Sequence, residues 1–259
     1  MTSISIEDLK EYVRKQYGNI AVNYDQRYEF MKKMIAENKV AEILEANIFP
    51  ETEVLKKIME EAKLKSGDKL LDIGCGTGIP VIFLSKIVGP LGQTFAVDSS
   101  DSMIKQGIEN ARELGANIEF KKAEAELLPF DDNYLDVVIS NCVVCLIPEK
   151  EKAISEIHRI LKHGGKAVIA DVYSRKVLPK QYRESPSIYS ACIGGAIQLN
   201  ENIEIFKNTG FGKVRVFDYG SIPEQWIEGW SKRFSGCCRI DLSPIIREYM
   251  GFAIISASK

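Results

Sequence analysis

An apolar, strand-like run leads into a glycine-rich turn that contains Gly74, Gly76 and Gly78. Because glycine has no Cβ, such a turn lets the backbone approach a ligand closely. A second apolar run ends at Asp98, 20 residues after Gly78. A carboxylate at the tip of that second strand can accept hydrogen bonds from ribose hydroxyls. The pattern predicts a site for a ligand that contains a nucleoside.

The spacing of these glycines argues against a dinucleotide-binding turn. A G-x-G-x-x-G pattern would need glycine at position 79, where this chain has Ile79. Asp72, two residues before the first glycine, would repel a phosphate. Its charge suits a cationic ligand that carries an amino group and a sulfonium. A glycine-rich turn that binds no ligand is the alternative, which Asp98 makes the less favoured one.

Thiols form the second group of residues that could do chemistry. The chain has six cysteines, and we expect no structural disulfide framework among them. A single C-x-x-C, from Cys142 to Cys145, gives only weak support for a structural zinc site. Cys142 ends a predicted strand and Cys192 lies in a long connection after the next one, so folding could bring these thiols together. Thiolates favour soft, thiophilic centres; the alternative is two buried apolar cysteines.

Strands and helices alternate along the middle of the chain, which predicts a parallel sheet with helices on both faces. Continuous apolar runs, such as residues 136–140 and 167–170, are typical of strands buried on both sides. The predicted elements are helices 6–16 and 28–46 with a break near Tyr17-Gly18, helix 51–63, strand 69–73, helix 79–88, strand 93–97, helix 101–114, strand 117–121, strand 135–140, helix 149–161, strand 165–172, helix 201–209, strand 213–218 and a strand near 252–256.

The organisation of the chain follows from this alternation. Residues 1–50 are predicted to form a helical lid, residues 51–220 the core, and residues 221–259 a C-terminal extension. The long connection over residues 174–200 lies within the core. Because connections of that length are uncommon unless they are functional or locally structured, we expect it to serve the substrate.

Length and charge restrict the function further. At 259 residues the chain can bury a full core, and one embellished domain is expected. Its net charge is −2 and its acids and bases are interspersed. We therefore expect no strongly positive surface that would attract nucleic acid or an anionic membrane. No apolar run approaches the roughly 20 residues of a transmembrane helix, and the N-terminus lacks the apolar block of a signal peptide. We therefore expect a cytoplasmic protein without nucleic-acid or membrane partners.

The glycine turn and the segments after it resemble the class I methyltransferases that use S-adenosylmethionine, over roughly residues 50–220. This resemblance implies a doubly wound, mostly parallel seven-stranded α/β sheet. It also implies that Asp98 holds the ribose, Met103 the adenine ring and Glu124 the adenine amino group; packing of Met103 and solvation of Glu124 are the alternatives. The implied cofactor-binding residues are Tyr17, Asp72, Gly74, Gly76, Gly78, Asp98, Ser99, Met103, Glu124, Ala125 and Asn141.

A second resemblance is narrower and concerns the acceptor. The segments similar to arsenite methyltransferases are residues 140–150, 161–174 and 190–196. In that family, cysteines at the positions that match Cys142 and Cys192 bind trivalent arsenic as thiolates. Residues 13–18 resemble the family's opening segment, whose tyrosine neighbours the cofactor, so Tyr17 or Tyr24 is expected near the sulfonium.

The remaining cysteines depart from that family's pattern or leave choices open. Some members have a further cysteine in the segment that matches residues 38–50, where this chain has none. Cys145 is a packed thiol or a spare ligand, with packing favoured. The vicinal pair Cys237-Cys238 could supply a third thiol for the metalloid or be inert. Cys75 lies in the glycine turn as a small filler without assigned chemistry.

These resemblances imply methyl transfer from S-adenosylmethionine to trivalent arsenic, giving mono- and dimethylated arsenicals with a thiol as external reductant. Because the arsenic lone pair is the nucleophile, the step needs orientation rather than a proton acceptor. The two histidines, His158 and His163, are accordingly expected to cap or pack. The alternatives are a small-molecule C- or O-methyltransferase resembling those of quinone biosynthesis and a non-catalytic protein that binds a soft metalloid.

Overall fold

The computed structural model describes residues 5–22, 26–37, 50–238 and 240–259, and its strands form one sheet. The strands are β1 (Lys69–Ile73), β2 (Gln93–Asp98), β3 (Glu119–Lys122), β4 (Leu135–Asn141), β5 (Leu161–Ser174), β6 (Lys213–Ser221) and β7 (Met250–Ser258). Their order is β3-β2-β1-β4-β5-β7-β6. The first five are mutually parallel, and β7 runs antiparallel to both of its neighbours. The prediction of a doubly wound, mostly parallel seven-stranded sheet is confirmed.

Helices precede the sheet and connect its strands. They are α1 (Ile6–Val22), α2 (Gln26–Ala36), α3 (Pro50–Ala62), α4 (Ile79–Val88), α5 (Asp101–Glu113), α6 (Lys150–Ile160), α7 (Lys180–Arg183), α8 (Pro186–Ser190), α9 (Leu199–Asn208), α10 (Glu224–Cys238) and α11 (Ser243–Tyr249), with a 3₁₀ turn at Val144–Leu146. Most core elements lie within a few residues of their predicted bounds. Strand β5 is longer than predicted because Leu161 pairs with Leu135 of β4 at its start and β7 pairs with it as far as Ser174 at its end.

The predicted helix break near Tyr17-Gly18 is wrong, because α1 continues through both residues to Val22. A Cβ on Gly18 would lie 3.4 Å from Ser102 Oγ, so the glycine lets α1 lie close to the start of α5. This tertiary contact outweighs the modest helix penalty of glycine. The second predicted helix, 28–46, corresponds to α2 up to Ala36; residues 38–49 and Tyr24 lie outside the described residues.

Both faces of the sheet are buried, which gives two apolar cores. Successive residues of one strand point to opposite faces, so Leu70 lies in one core and Leu71 in the other, each with 0% exposure. Val137 and Val138 divide in the same way on β4. Burying one such side chain contributes about 1.5–3 kcal/mol. The apolar runs of the sequence are thus explained by helices on both faces.

Parallel pairing brings the carboxyl ends of the central strands to one edge of the sheet. The register pairs Ile73 of β1 with Val97 of β2 and with Ser140 of β4. Asn141, the last residue of β4, pairs with Ala170 of β5. The glycine turn, Asp98, Cys142 and the second half of β5 therefore share this edge, where ligands of open α/β sheets bind.

Two segments outside the regular alternation of strands and helices also pack against the sheet or join it. Residues 174–200 contain α7 and α8, and an isolated bridge joins Ser174 to Gln198. The last strand, β7, inserts between β5 and β6, so the end of the predicted extension over residues 221–259 contributes a strand to the sheet. Among the described residues, no helix is both long and apolar enough to cross a bilayer.

Candidate active site

The turn after β1 has a left-handed backbone at each of its three glycines. The φ angle is 70° at Gly74, 55° at Gly76 and 80° at Gly78, a region that residues with a Cβ adopt only at a cost. A Cβ on Gly74 would overlap the side chain of Val143, and one on Gly78 would lie 3.0 Å from Phe120 Cζ. These two glycines therefore let the turn pack closely against its neighbours.

Gly76 differs from the other two glycines because the space beside it is open. The nearest atom to a Cβ there would be Met103 Sδ, at 3.9 Å. Its backbone N–H donates to Asp98 Oδ2 at 3.0 Å, and Ser100 N–H donates to Asp98 Oδ1 at 2.9 Å. A carboxylate has roughly four acceptor positions, so Asp98 retains capacity for ribose hydroxyls. Burial raises the pKa of Asp98, against the effect of these backbone donors.

Asp72 lies at the same edge, and its side chain is buried. Burial, and second the nearby charge of Asp98, raise the pKa of Asp72 to about 8. A buried carboxyl normally has such a pKa only when no cation compensates its charge. A bound cation would lower this pKa, so the carboxyl pair offers a cationic ligand a favourable site and a phosphate an unfavourable one.

The other residues expected to bind the cofactor lie around this turn. Ser99 follows β2 directly, Asn141 ends β4 with an exposed side chain, and Ala125 is buried in the loop after β3. Met103, 5% exposed, faces Gly76 from the first turn of α5. An open glycine, a buried apolar wall and a carboxylate with spare acceptors together fit an adenosine with a cationic substituent.

Helix α1 is joined by ion pairs to the loop that contains Glu124. Arg14 Nη1 donates to Glu124 Oε1 at 2.8 Å, and Lys10 Nζ lies 2.7 Å from Glu126 Oε1. Burial is the largest single influence and lowers the pKa of Lys10 and Arg14, but the neighbouring acids together outweigh it and raise both pKa values. The carboxylate expected to meet the adenine amino group is therefore also a contact of α1.

Cys142 and Cys192, distant in sequence, lie side by side. The Cys192 thiol donates to the carbonyl oxygen of Cys142 with an S···O distance of 3.8 Å. Cys142 follows β4 directly and is half-buried, whereas Cys192 follows α8 and is buried. Among the described residues, four that are not glycine have positive φ, and two of them are Cys142 (54°) and Cys192 (63°). Backbone strain of this kind concentrates at functional sites.

Tyr17 connects α1 to these cysteines. Its hydroxyl oxygen and Cys192 Sγ share a hydrogen bond of 3.2 Å. Burial, and second the neighbouring Cys192 thiol, raise the pKa of Tyr17 well above its usual value, so the phenol is neutral. On its other side the ring makes an edge contact with Phe234 of α10, with centroids 6.2 Å apart. Tyr17 thus links α1 to both Cys192 and α10.

The chain has a third thiol near this pair, that of Cys145. Cys145 is 2% exposed, in the 3₁₀ turn after Cys142. Its backbone N–H donates to Asp171 Oδ2 at 2.9 Å. Burial, followed by the neighbouring Cys192 thiol, raises the pKa of Cys145 well above its usual value.

The remaining cysteines lie apart from this group. Cys238 Sγ donates to the carbonyl oxygen of Ser187 at 3.3 Å, and Cys75 Sγ to that of Gly76 at 3.6 Å. The side chain of Cys237 is outside the described part of the chain. Within the described residues, no three His, Cys, Asp or Glu side chains converge as they stand on a point that could hold a metal ion.

Sequence reasoning missed Asp171 and Lys150, which both support the turn that carries Cys145. Asp171 lies in the apolar strand β5, and burial raises its pKa. Lys150, 6% exposed, donates to the carbonyl oxygen of Ile147 at 2.7 Å. An acid inside an apolar strand was the available signal for Asp171; nothing in the pattern marked Lys150 as buried.

The sequence matches a family model described as a methyltransferase domain over residues 64–210. An arsenite methyltransferase from Halobacterium salinarum is 31% identical over 199 residues, which are 76% of this chain and 48% of that protein. A demethylmenaquinone methyltransferase from Staphylococcus carnosus is 35% identical over 170 residues, 66% of this chain and 64% of that protein. The chain thus spans about half to two thirds of the length of these relatives.

Solved structures agree with this assignment. An arsenic(III) S-adenosylmethionine methyltransferase from Chlamydomonas reinhardtii has a TM-score of 0.60 and 25% identity, covering 85% of this chain and 72% of that one. Phosphoethanolamine N-methyltransferase 2 of Haemonchus contortus, in complex with S-adenosyl-L-methionine, has a TM-score of 0.64 and 21% identity, covering 80% and 52%. The open glycine, Asp98 and the uncompensated Asp72 fit that cofactor. The chain therefore belongs to the methyltransferase domain family, with the class I fold and S-adenosylmethionine as its cofactor.

Proposed function

We propose that this protein transfers a methyl group from S-adenosylmethionine to trivalent arsenic held by Cys142 and Cys192. The observation that carries the proposal is the contact between these cysteines, in which Cys192 Sγ lies 3.8 Å from the Cys142 carbonyl oxygen. The pair lies beside the glycine turn, since Val143 packs directly on Gly74. Two strained cysteines next to a methyl-donor site are not required by the fold itself.

The binding step uses only the two thiols. Arsenous acid exchanges two hydroxyl groups for two cysteine sulfurs, and each thiol proton leaves with a hydroxyl as water. No oxidant or reductant is needed for this step. Thiolates are soft ligands, so Cys142 and Cys192 select a soft centre over magnesium or calcium.

The residues around the turn would hold and orient the cofactor. Asp98 would accept hydrogen bonds from the ribose, Met103 would contact the adenine, and Asp72 would attract the positive charge. Tyr17 and α1 would cover the site and exclude water, which strengthens these electrostatic interactions. When bound, S-adenosylmethionine supplies a methyl group activated by its sulfonium.

The acceptor itself supplies the electron pair. Trivalent arsenic keeps a lone pair while thiolates hold it, so the site has to orient the metalloid and needs no general base. The new As–C bond would replace the S–C bond of the cofactor, S-adenosylhomocysteine would leave, and arsenic would become formally pentavalent, so glutathione would have to return two electrons before a second transfer. The positions of the histidines are consistent with this. The ring of His158 packs on Phe211 with centroids 5.0 Å apart, and His163 lies at the amino end of β5, opposite the site.

A methyltransferase of quinone biosynthesis is the second candidate, because the relative from Staphylococcus carnosus is 35% identical. Such an enzyme would methylate carbon or oxygen and would have no need of Cys142. A protein that binds arsenite without turnover is the candidate from another class. Incubation with labelled cofactor and arsenite separates these three functions, and serine variants of Cys142 and Cys192 test the role of the thiols.

Purified protein is incubated with isotopically labelled S-adenosylmethionine, arsenite and glutathione. The arsenic species are then separated and their label is measured. We expect mono- and dimethylated arsenic, and loss of both in Cys142→Ser and Cys192→Ser variants that still bind cofactor. Absence of methylated arsenic from the wild type would overturn the function. Unchanged methylation by Cys192→Ser would overturn the role of that residue.

A further inference from the structure

Cys145 lies buried in the 3₁₀ turn just after Cys142. After burial, the thiol of Cys192 has the largest effect on the pKa of Cys145, and that of Cys142 also raises it. The chain segments that carry Cys145 and Cys192 meet closely, because a Cβ on Gly195 would overlap the Cys145 carbonyl oxygen. These two segments are therefore neighbours although 46 residues of sequence lie between the two cysteines.

Polar groups of the protein fix the backbone of Cys145 in this place. Asp171 Oδ2 accepts its N–H at 2.9 Å, and Lys150 Nζ donates to its carbonyl oxygen at 3.5 Å. Lys150 is buried and Asp171 is half-buried, and a misplaced or unsatisfied polar group is costly in such surroundings. The two contacts therefore hold the N–H and the carbonyl group of Cys145 in place.

We propose that Cys145 is a third thiol ligand of the metalloid and binds it together with Cys192 and Cys142. The proposal rests on the function proposed above. Trivalent arsenic accepts three thiolates, and exchange of the third hydroxyl of arsenous acid for Cys145 sulfur releases one more water and changes no oxidation state. The segments of Cys145 and Cys192 already meet at Gly195, and the half-buried Cys142 would turn its side chain to complete the group.

Cys238 is the competing third thiol that the sequence offered. Its Sγ donates to the Ser187 carbonyl oxygen at 3.3 Å, on the side of α10 that packs on α8. Cys238→Ser is therefore the matched control, a buried thiol replaced outside the proposed group.

The test counts sulfur atoms around arsenic. X-ray absorption at the arsenic edge is recorded for the full chain loaded with one equivalent of arsenite, as wild type, Cys145→Ser and Cys238→Ser. We expect three sulfurs in the wild type and in Cys238→Ser, and two sulfurs with one oxygen in Cys145→Ser. Arsenite affinity of Cys145→Ser should fall roughly 100-fold, the size of effect that one further tethered contact contributes.

Phenylarsine oxide separates loss of a ligand from loss of the fold. This probe has two exchangeable positions, so Cys145→Ser should bind it with nearly wild-type affinity. Cys192→Ser should bind it far more weakly. If Cys145→Ser binds neither arsenite, phenylarsine oxide nor the cofactor, that variant has not folded. Cys145→Ala and the sulfur count of the wild type then test whether Cys145 is a ligand.

Two results would overturn the third ligand. One is a wild-type count of two sulfurs; the other is a count of three that persists in Cys145→Ser. The proposed function fails differently, through absence of methylated arsenic from a protein that still binds arsenite. A protein that methylates arsenic with two sulfurs would therefore keep the function and reject only the role of Cys145.

Discussion

Tyr17 Oη lies 3.2 Å from Cys192 Sγ, so a residue of α1 contacts a cysteine that lies in the connection after β5. The same helix carries Arg14, which pairs with Glu124 beside the cofactor turn. It also carries Gly18, which packs on Ser102 at the start of α5. One helix therefore contacts both the loop that carries Glu124 and the connection that carries Cys192, and variants of Tyr17 and Arg14 test these two contacts.

Replacing Tyr17 with phenylalanine removes the hydrogen bond to Cys192 and retains the ring that packs on Phe234. A hydrogen bond of this kind contributes about 0.5–1.5 kcal/mol. We expect alkylation of Cys192 by iodoacetamide to become roughly two- to tenfold faster, the change that this free energy allows. Peptide mass spectrometry over time measures the rate. The buried Cys238, bonded to Ser187, is the internal control and should react at an unchanged rate.

Asp72 should make the free protein less stable as the pH rises. A carboxyl whose pKa is raised on folding, here from 3.8 to about 8, binds its proton more tightly in the folded state. The free energy of unfolding therefore falls as the pH rises from about 4 to about 8. Asp72→Asn should flatten this decline, measured by urea unfolding between pH 5 and 8; Asp98, whose pKa is also raised, leaves a residual slope.

Asp136→Asn is the control for that experiment. Burial raises the pKa of Asp136, but the hydrogen bonds from Lys162 and from the Lys69 N–H, together with the charges of both lysines, outweigh it and lower this pKa, so the group does not titrate between pH 5 and 8. Its removal should lower stability evenly across the range. A pH slope equal in wild type and Asp72→Asn would contradict the assignment of the uncompensated carboxyl to Asp72.

The raised pKa of Asp72 also leads to a prediction of how cofactor affinity depends on pH. Because the ionised carboxylate is the form that attracts a cation, the affinity of the wild type for S-adenosylmethionine should increase as the pH rises towards about 8. Asp72→Asn should bind more weakly and lose most of this dependence. Isothermal titration at several pH values gives both quantities, and an unchanged affinity in the variant would count against a role for Asp72.

Gly74→Ala and Gly76→Ala compare two glycines with the same backbone requirement. Both have left-handed φ, so each alanine costs about 1–2 kcal/mol of strain. Only Gly74 lies against Val143, so Gly74→Ala should lose more stability in the free protein. Val143→Ala combined with Gly74→Ala should recover part of that loss. Equal losses for the two single variants, measured by thermal unfolding, would mean that the Val143 contact is unimportant.

The Arg14–Glu124 pair should contribute little to stability. Arg14 is 26% and Glu124 37% exposed, and exposed ion pairs contribute about 0–1 kcal/mol because solvent screens them. A double-mutant cycle with Arg14→Ala and Glu124→Gln should give a coupling below about 1 kcal/mol that decreases with added salt. We expect Arg14→Ala to make α1 more susceptible to limited proteolysis, with the nearby exposed pair Lys15–Glu11 as a control site.

Local sequence determined the sheet and the cofactor turn. The apolar runs of β1, β2, β4 and β5 are continuous because both faces are buried, and this pattern can be read without knowing the partners. The glycines and Asp98 are likewise close in sequence, and parallel strands place their carboxyl ends together. The break predicted at Tyr17-Gly18 was wrong because the packing of Gly18 on α5, a distant contact, outweighs local helix propensity.

Only the tertiary structure decided how the thiols group and how the carboxyl groups ionise. The sequence separates Cys145 from Cys192 and Asp171, and the contacts among them depend on where residues 174–200 pack over the sheet. The pKa of Asp72 depends on its burial and on a charge from another strand. Both properties arise from distances between segments remote along the chain, which residue types and spacing do not specify.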